Sequence, residues 1–345
     1  MNGIHALLDL ARDAGASELF LSPNVAPSVR TPTGFEPLAA DAPLPGELAA
    51  FEASLIGERR PERHGTPLPA VCSLGPHRVR VRFLRLADGM HAVLRLLDPH
   101  LPSLRALGLD PGPLADATTG LLLITGPSGS GRTTTLHAIV RHLSQTRPGE
   151  VVTLESPCEQ VHPHARSLVI QRGVGVDVPS YVEGLRAAET GATVVALDDC
   201  AEPAAYRAAV QLATAGRLVV MTTDAPSPGS AIARLCSGAD AAARRTLRRI
   251  ARSLVGVVVQ RLVPGVEGSI RIGAQLVPSL PMRGALDRIA TGSSPLQLRN
   301  HDLLRPMPSL DDALATRVTD GSCSPAVARD YAEDPSRFDD ALDTT

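Results

Sequence analysis

The eight residues Gly126-Pro127-Ser128-Gly129-Ser130-Gly131-Arg132-Thr133 constrain this chain more than any other feature. They follow 120–125 (GLLLIT), an apolar run that reads as a buried strand, and they open a stretch, 133–143, that reads as a helix. A glycine-rich turn in that setting lets successive backbone N–H groups curl around an anion, and the helix N-terminus adds partial positive charge. The pattern is that of a phosphate-binding loop, G-x-x-x-x-G-K-[ST], with Arg132 where lysine is usual. Its candidate phosphate ligands are Gly126, Ser128, Gly129, Ser130, Gly131, Arg132, Thr133 and Thr134, and the Thr133 hydroxyl is placed to hold Mg2+. Arginine attracts phosphate as lysine does, but it is longer, planar and forked rather than compact. All 34 basic residues of the chain are arginine, so Arg132 accords with a chain-wide absence of lysine.

Around the loop, strands and helices alternate. Residues 151–155, 193–197 and 218–222 read as further strands, and 181–189 and 204–213 as helices between them. Near-continuous apolar strands separated by helices indicate an α/β layer with a parallel core. A helix over 241–254 and a strand pair, 257–263 with 269–277, follow, and the remainder reads as helical. The acidic stretch 334–343 reads as solvated and partly disordered.

Before the loop the pattern differs. Leu7, Leu8, Leu10 and Ala11 suggest a short amphipathic helix, 18–22 a strand, and 47–58 a helix stopped by Pro61. Residues 78–83 (RVRVRF) alternate strictly, which places Arg78, Arg80 and Arg82 on one face of a strand and Val79, Val81 and Phe83 on the other. Four prolines punctuate 99–113. The expected organisation is therefore an N-terminal domain over 1–98, a linker over 99–115 and the phosphate-loop domain over 116–345. With 43% hydrophobic residues, 2% aromatics and no Trp, both cores must be filled by Leu, Val, Ala and Ile.

Other classes find little support. The net charge of −2 gives no electrostatic reason to expect nucleic-acid binding. The five cysteines form no CxxC pair and no zinc spacing, and with the helical, charged N-terminus they suit a reduced cytoplasmic protein without a signal peptide. His162 and His164 with His77 or His100 have no metal-ligand spacing, and Cys158 and Cys200 lack a base partner. No apolar run approaches the ~20 residues needed to cross a bilayer.

Residues 121–136 (LLLITGPSGSGRTTTL) resemble the Walker A region of the type IV pilus retraction and type II secretion motor ATPases, the PilT-like family. Residues 15–22 (GASELFLS) are similar to the opening of that family's PAS-like N-terminal domain, and 78–95 to its arginine-bearing strands. Residues 153–159 (TLESPCE) resemble its Asp box, Asp198-Asp199-Cys200-Ala201-Glu202 its Walker B segment, and Met221–Ala225 its His box. Gln171-Arg172 also matches a family segment, with a surface turn as the alternative, and 281–286 (PMRGAL) occupies the place of a segment associated with retraction.

The resemblance implies a PAS-like α+β domain followed by a RecA-like P-loop domain with a helical C-terminal portion. It implies ATP and Mg2+ as ligands, with Glu155 and Asp199 as catalytic carboxylates and Thr133 and Asp198 at the metal. Arg78, Arg80 and Arg95 fall where the family reaches a nucleotide from a neighbouring subunit, although an arginine face that is merely solvated remains the alternative. It further implies a homo-hexamer, or a mixed hexamer with an active paralogue, peripheral to the inner membrane through a platform protein of a pilus or secretion machine. Four positions depart from the pattern: Arg132 for Lys, Ser156 for the Asp-box Asp, Asp199 for Glu and Asp224 for His. Asp199 is one methylene short of the carboxylate that orients water, and Asp224 is expected to repel phosphate. Weak or lost hydrolysis follows from that set, with an active ATPase as the alternative.

Overall fold

A computed structural model describes residues 2–31, 34–56, 62–63, 66–67, 70–109, 117–236, 240–266, 268–276 and 309–344, with scattered positions between 284 and 291. The helix stop at 58–61, part of the linker and four of the six residues 281–286 lie outside the described residues. The chain forms two compact units, one comprising 1–100 with 156–161 and 173–177, the other the remainder.

The first unit contains α1 (Asn2–Asp13), β1 (Glu18–Ser22), β2 (Val25–Thr31), β3 (Gly34–Pro37), α2 (Pro45–Ile56), the short pair β4 (Glu62–Arg63) and β5 (Thr66–Pro67), then β6 (Ala70–Leu74), β7 (His77–Leu86) and β8 (Gly89–Leu97). Six of the strands form a sheet in the order β3-β2-β1-β8-β7-β6, and its pairings β1–β2, β2–β3, β1–β8, β7–β8 and β6–β7 are antiparallel. Ile4, Leu8 and Ala11 of α1 and Leu48 and Phe51 of α2 cover one face, packing with Leu19, Leu21, Val79, Val81 and Leu94. The alternation in β7 has the predicted outcome: Val79 and Val81 are fully buried and Arg82 is exposed. On the opposite face the register aligns Arg80 with Arg95, Arg95 with Glu18, and Glu18 with Arg30. The like charges of Arg80 and Arg95 are each tempered, since Arg80 pairs with Glu159 at 2.8 Å and Arg95 faces Glu18. Sequence reading did not anticipate β2 and β3. Pro27, which cannot donate to a ladder, argues against a strand at β2 although Pro27 and Val29 alternate in burial with their neighbours, and the four residues of β3 are all exposed and carry no period.

The second unit contains β9 (Gly120–Thr125), α3 (Arg132–Thr146), β10 (Gly149–Glu155), β11 (Ser167–Gly173), α4 (Tyr181–Ala188), β12 (Val194–Leu197), α5 (Pro203–Thr214), β13 (Leu218–Thr223), α6 (Pro228–Leu235), α7 (Asp240–Ser253), β14 (Leu254–Gly265), β15 (Gly268–Leu276), α8 (Leu310–Thr319), α9 (Pro325–Asp330) and α10 (Pro335–Thr344). Its seven-stranded sheet has the order β11-β10-β12-β13-β9-β14-β15. Strands β10, β12, β13, β9 and β14 run parallel, and β15 returns antiparallel. All residues of β9, β12 and β13 are buried, as helices on both sides of a parallel sheet require. This is the RecA-like α/β layer the sequence implied. Gln171-Arg172 lies in strand β11 rather than in a turn. The acidic C-terminal stretch is also ordered. Phe338 of α10 is 1% exposed in a cluster with Val263, Leu310 and Leu314, so a single aromatic anchors a helix whose charges face outward.

Candidate functional site

Parallel pairing brings several of the predicted site residues to one edge. Leu154, Leu197 and Met221 are aligned across β10, β12 and β13, and Met221 pairs with Leu123 of β9. The loop after β9, Glu155, Asp198-Asp199 and Asp224 therefore all emerge at the carboxyl ends of adjacent strands, where open α/β sheets place their ligands.

The loop is held by its surroundings. A Cβ on Gly126 would stand 2.2 Å from the Gln260 carbonyl and 2.6 Å from Ser130 Oγ, so only glycine fits there. Gly131 caps α3 with φ +84°, a left-handed conformation that glycine adopts without strain. The side chain of Gln260, fully buried in β14, donates from Nε2 to the Ser130 carbonyl at 2.6 Å and accepts from Thr135 Oγ1 at 2.8 Å. That glutamine was missed in the sequence, although a lone amide within the apolar run LVGVVVQRLV is a signal that a polar partner must lie beside it. Arg132 Nη1 is buried and has no hydrogen-bond partner among the described residues. Ser128, Gly129 and Thr134 are exposed, and Thr133 is half-buried.

The acidic residues differ in environment. Glu155 is 1% exposed, and its Oε1 accepts from Thr153 Oγ1 at 2.5 Å and from Gln171 Nε2 at 3.3 Å. Asp198 accepts from Thr222 Oγ1 at 2.8 Å, and the same hydroxyl accepts the Asp199 backbone N–H at 2.8 Å. Tyr181 Oη donates to the Asp198 carbonyl at 2.6 Å. Asp199 itself is exposed, with φ +49°, a left-handed position that aspartate tolerates better than most side chains. Asp224 forms an ion pair with Arg234 of α6, which offsets the negative charge that the sequence places there.

Of the predicted arginines, Arg78 donates from Nε to the Glu159 carbonyl at 2.7 Å and from Nη2 to the Cys158 carbonyl at 2.9 Å. Arg80 pairs with the Glu159 carboxylate. Both therefore fasten the end of the Asp-box segment, Cys158-Glu159, within the first unit. Arg95 remains exposed. Cys200 is buried, its carbonyl accepting from Tyr206 Oη at 2.6 Å. Among the described residues no group of His, Cys, Asp and Glu has the geometry of a metal site, and no helix is long and apolar enough to cross a membrane.

The type II/IV secretion system protein family model matches residues 52–278. The chain is 34% identical over 205 residues to the uncharacterized protein YggR of Escherichia coli K12, a match spanning 58% of this chain and 63% of that protein. It is 27% identical over 348 residues to the type IV pilus retraction ATPase PilT of Pseudomonas aeruginosa, covering 97% of this chain and 99% of that one. The crystal structure of the pilus retraction motor PilT with bound ADP superposes with a TM-score of 0.86 over 98% of this chain and 99% of that chain, at 24% identity. From its matched domain and its two-unit architecture, the chain belongs to the type II/IV secretion system protein family, as a PilT-like member of the pilus and secretion motor ATPases.

Proposed function

We propose that this protein is a ring subunit of a pilus or secretion motor that binds Mg-nucleotide at residues 126–134 and hydrolyses it slowly or not at all. The observation that carries the reading is Arg132 Nη1, a buried cationic donor without a partner at the head of α3, beside a loop that excludes any side chain at Gly126. A buried donor left unpaired is costly, and a phosphate oxygen supplies the missing acceptor for this nitrogen of the half-buried guanidinium. In this reading Thr133 and Asp198 hold Mg2+, while Glu155 and Asp199 are the carboxylates nearest the reacting phosphate. Weak hydrolysis is supported by the Thr222 hydroxyl, which already donates to Asp198, and by the exposed, shortened carboxylate of Asp199. The ion pair of Asp224 with Arg234 adds to this, since it puts a carboxylate where a neutral or cationic ring is expected.

The subunit is proposed to act as a homo-hexamer or beside an active paralogue, at the cytoplasmic face of the inner membrane through a platform protein. A regulatory or structural role in retraction follows from weak turnover. The alternative, an active ATPase driving retraction or secretion, is favoured by the retained Glu155 and Asp199. Calorimetry with MgADP and MgATP, with a steady-state ATPase assay carrying an Asp199→Ala control, tests both. Binding with turnover no higher than the control supports the proposal. No binding at millimolar nucleotide overturns it, and turnover that Asp199→Ala abolishes establishes the alternative.

A further inference from the structure

Behind the loop helix lies a buried ring of polar side chains. Glu155, His137 of α3 and His162 are 1%, 1% and 5% exposed. His137 Nε2 stands 3.5 Å from Glu155 Oε2, and His137 Nδ1 stands 2.8 Å from His162 Nε2. The ring closes through Gln171, whose Oε1 accepts from the His162 backbone N–H at 2.8 Å and whose Nε2 donates to Glu155 Oε1. Neither His162 Nδ1 nor His137 Nε2 has a hydrogen-bond partner among the described residues, so the 3.5 Å approach of His137 to Glu155 is an ion-pair contact rather than a formed hydrogen bond.

The proton inventory of this ring allows two arrangements. With Glu155 ionised, an Nε2–H on His137 is the proton that faces Oε2 across the 3.5 Å gap. Its Nδ1 is then an acceptor, and His162 must donate its own Nε2–H, leaving His162 Nδ1 bare. One added proton, entering at His162 Nδ1, yields the second arrangement. The His162 Nε2 proton passes to His137 Nδ1, the His137 Nε2 proton passes to Glu155 Oε2, and both rings end as neutral Nδ1–H forms beside a neutral carboxylic acid. No other group gains or loses a proton.

We propose that His137 and His162 form a one-proton relay that orients Glu155 and sets its charge from outside the loop edge, acting as positioning residues for that carboxylate. The functional importance of Glu155 rests on the nucleotide reading above; the relay itself does not. Burial keeps both rings neutral, as a relay requires, lowering His137 to about 3 and His162 to about 4. Other groups near them include Arg141, which lowers His162 further, and Thr153 and Gln171 on Glu155.

Ring-nitrogen NMR of the full chain labelled with 15N-histidine tests this without nucleotide. At neutral pH both rings are expected as Nε2–H tautomers, with His137 Nδ1 hydrogen-bonded. His162→Leu is expected to shift the His137 Nδ1 signal to its unbonded position, and His162→Gln, whose amide N–H can donate, to restore it. Acidification is expected to move both rings together to the Nδ1–H form. A His137 Nδ1–H tautomer at neutral pH, a His137 signal indifferent to both variants, or one ring turning to imidazolium alone would overturn the relay. The expected tautomers in a protein that binds no MgADP by calorimetry keep the relay and remove the nucleotide reading.

Discussion

Gln260 and Ser130 lie 130 residues apart in sequence and are joined by a buried hydrogen bond of 2.6 Å, from the glutamine amide to the loop carbonyl. The bond ties β14 to the loop after β9, and the same glutamine receives the Thr135 hydroxyl. Gln260→Ala removes both bonds from the interior. Losing the partner of a buried polar group costs about 1–3 kcal/mol. Denaturant unfolding is expected to show a loss of that size, and MgADP affinity is expected to fall with it. An affinity unchanged in Gln260→Ala would mean that the loop keeps its shape unaided.

Hydrolysis should respond to substitutions only in combination. Arg132→Lys, Asp199→Glu and Asp224→His each alter one part of a single constellation, and effects within such a unit are far from additive. Single changes are expected to raise ATP turnover little, and the triple change more than their product. Asp224→His also releases Arg234 from its ion pair, so this step must be read beside Arg234→Ala. Turnover measured under saturating MgATP decides it.

The arginines divide into two classes. Arg78→Ala takes donors from the Cys158 and Glu159 carbonyls, so amide exchange over 156–161 is expected to quicken. Arg95→Ala alters only an exposed side chain, and stability is expected to stay within about 0.5 kcal/mol. If Arg95 meets an anion on a neighbouring subunit, Arg95→Ala weakens hexamers in light scattering while the fold is kept. Assembly equal to that of the unaltered chain would assign Arg95 to the solvated surface.

Acid should weaken the second unit through the buried histidines. Both fold with values far below the ordinary 6.5, to about 3 for His137 and about 4 for His162, because burial disfavours the charged ring. The unfolded chain then binds more protons than the folded one between these values and 6.5. The stabilisation is complete above about pH 6.5 and declines as pH falls below it, at up to about 1.4 kcal/mol per pH unit per histidine, until the folded protein takes up its own proton. Denaturant unfolding between pH 4 and 8 measures the slope, which His162→Gln is expected to reduce.

The sequence by itself determined the parallel layer, the loop and the arginine strand. Each is written in local pattern: unbroken apolar runs at 120–125 and 218–222, glycines where backbone must approach an anion, and a strict alternation at 78–83. Local pattern is enough where a segment's own period states its burial. Only the tertiary structure decided what the polar groups meet. The bonds of Gln260 to Ser130, Arg234 to Asp224, Arg78 to Glu159 and His137 to His162 span 130, 10, 81 and 25 residues. A polar side chain in an apolar run states that it needs a partner, since leaving it unpaired is costly, but its spacing does not say which. Folding the sheet chose those partners. Folding also fastened Arg78 and Arg80 onto the end of the Asp-box segment, and it shut Glu155 into a ring with two histidines.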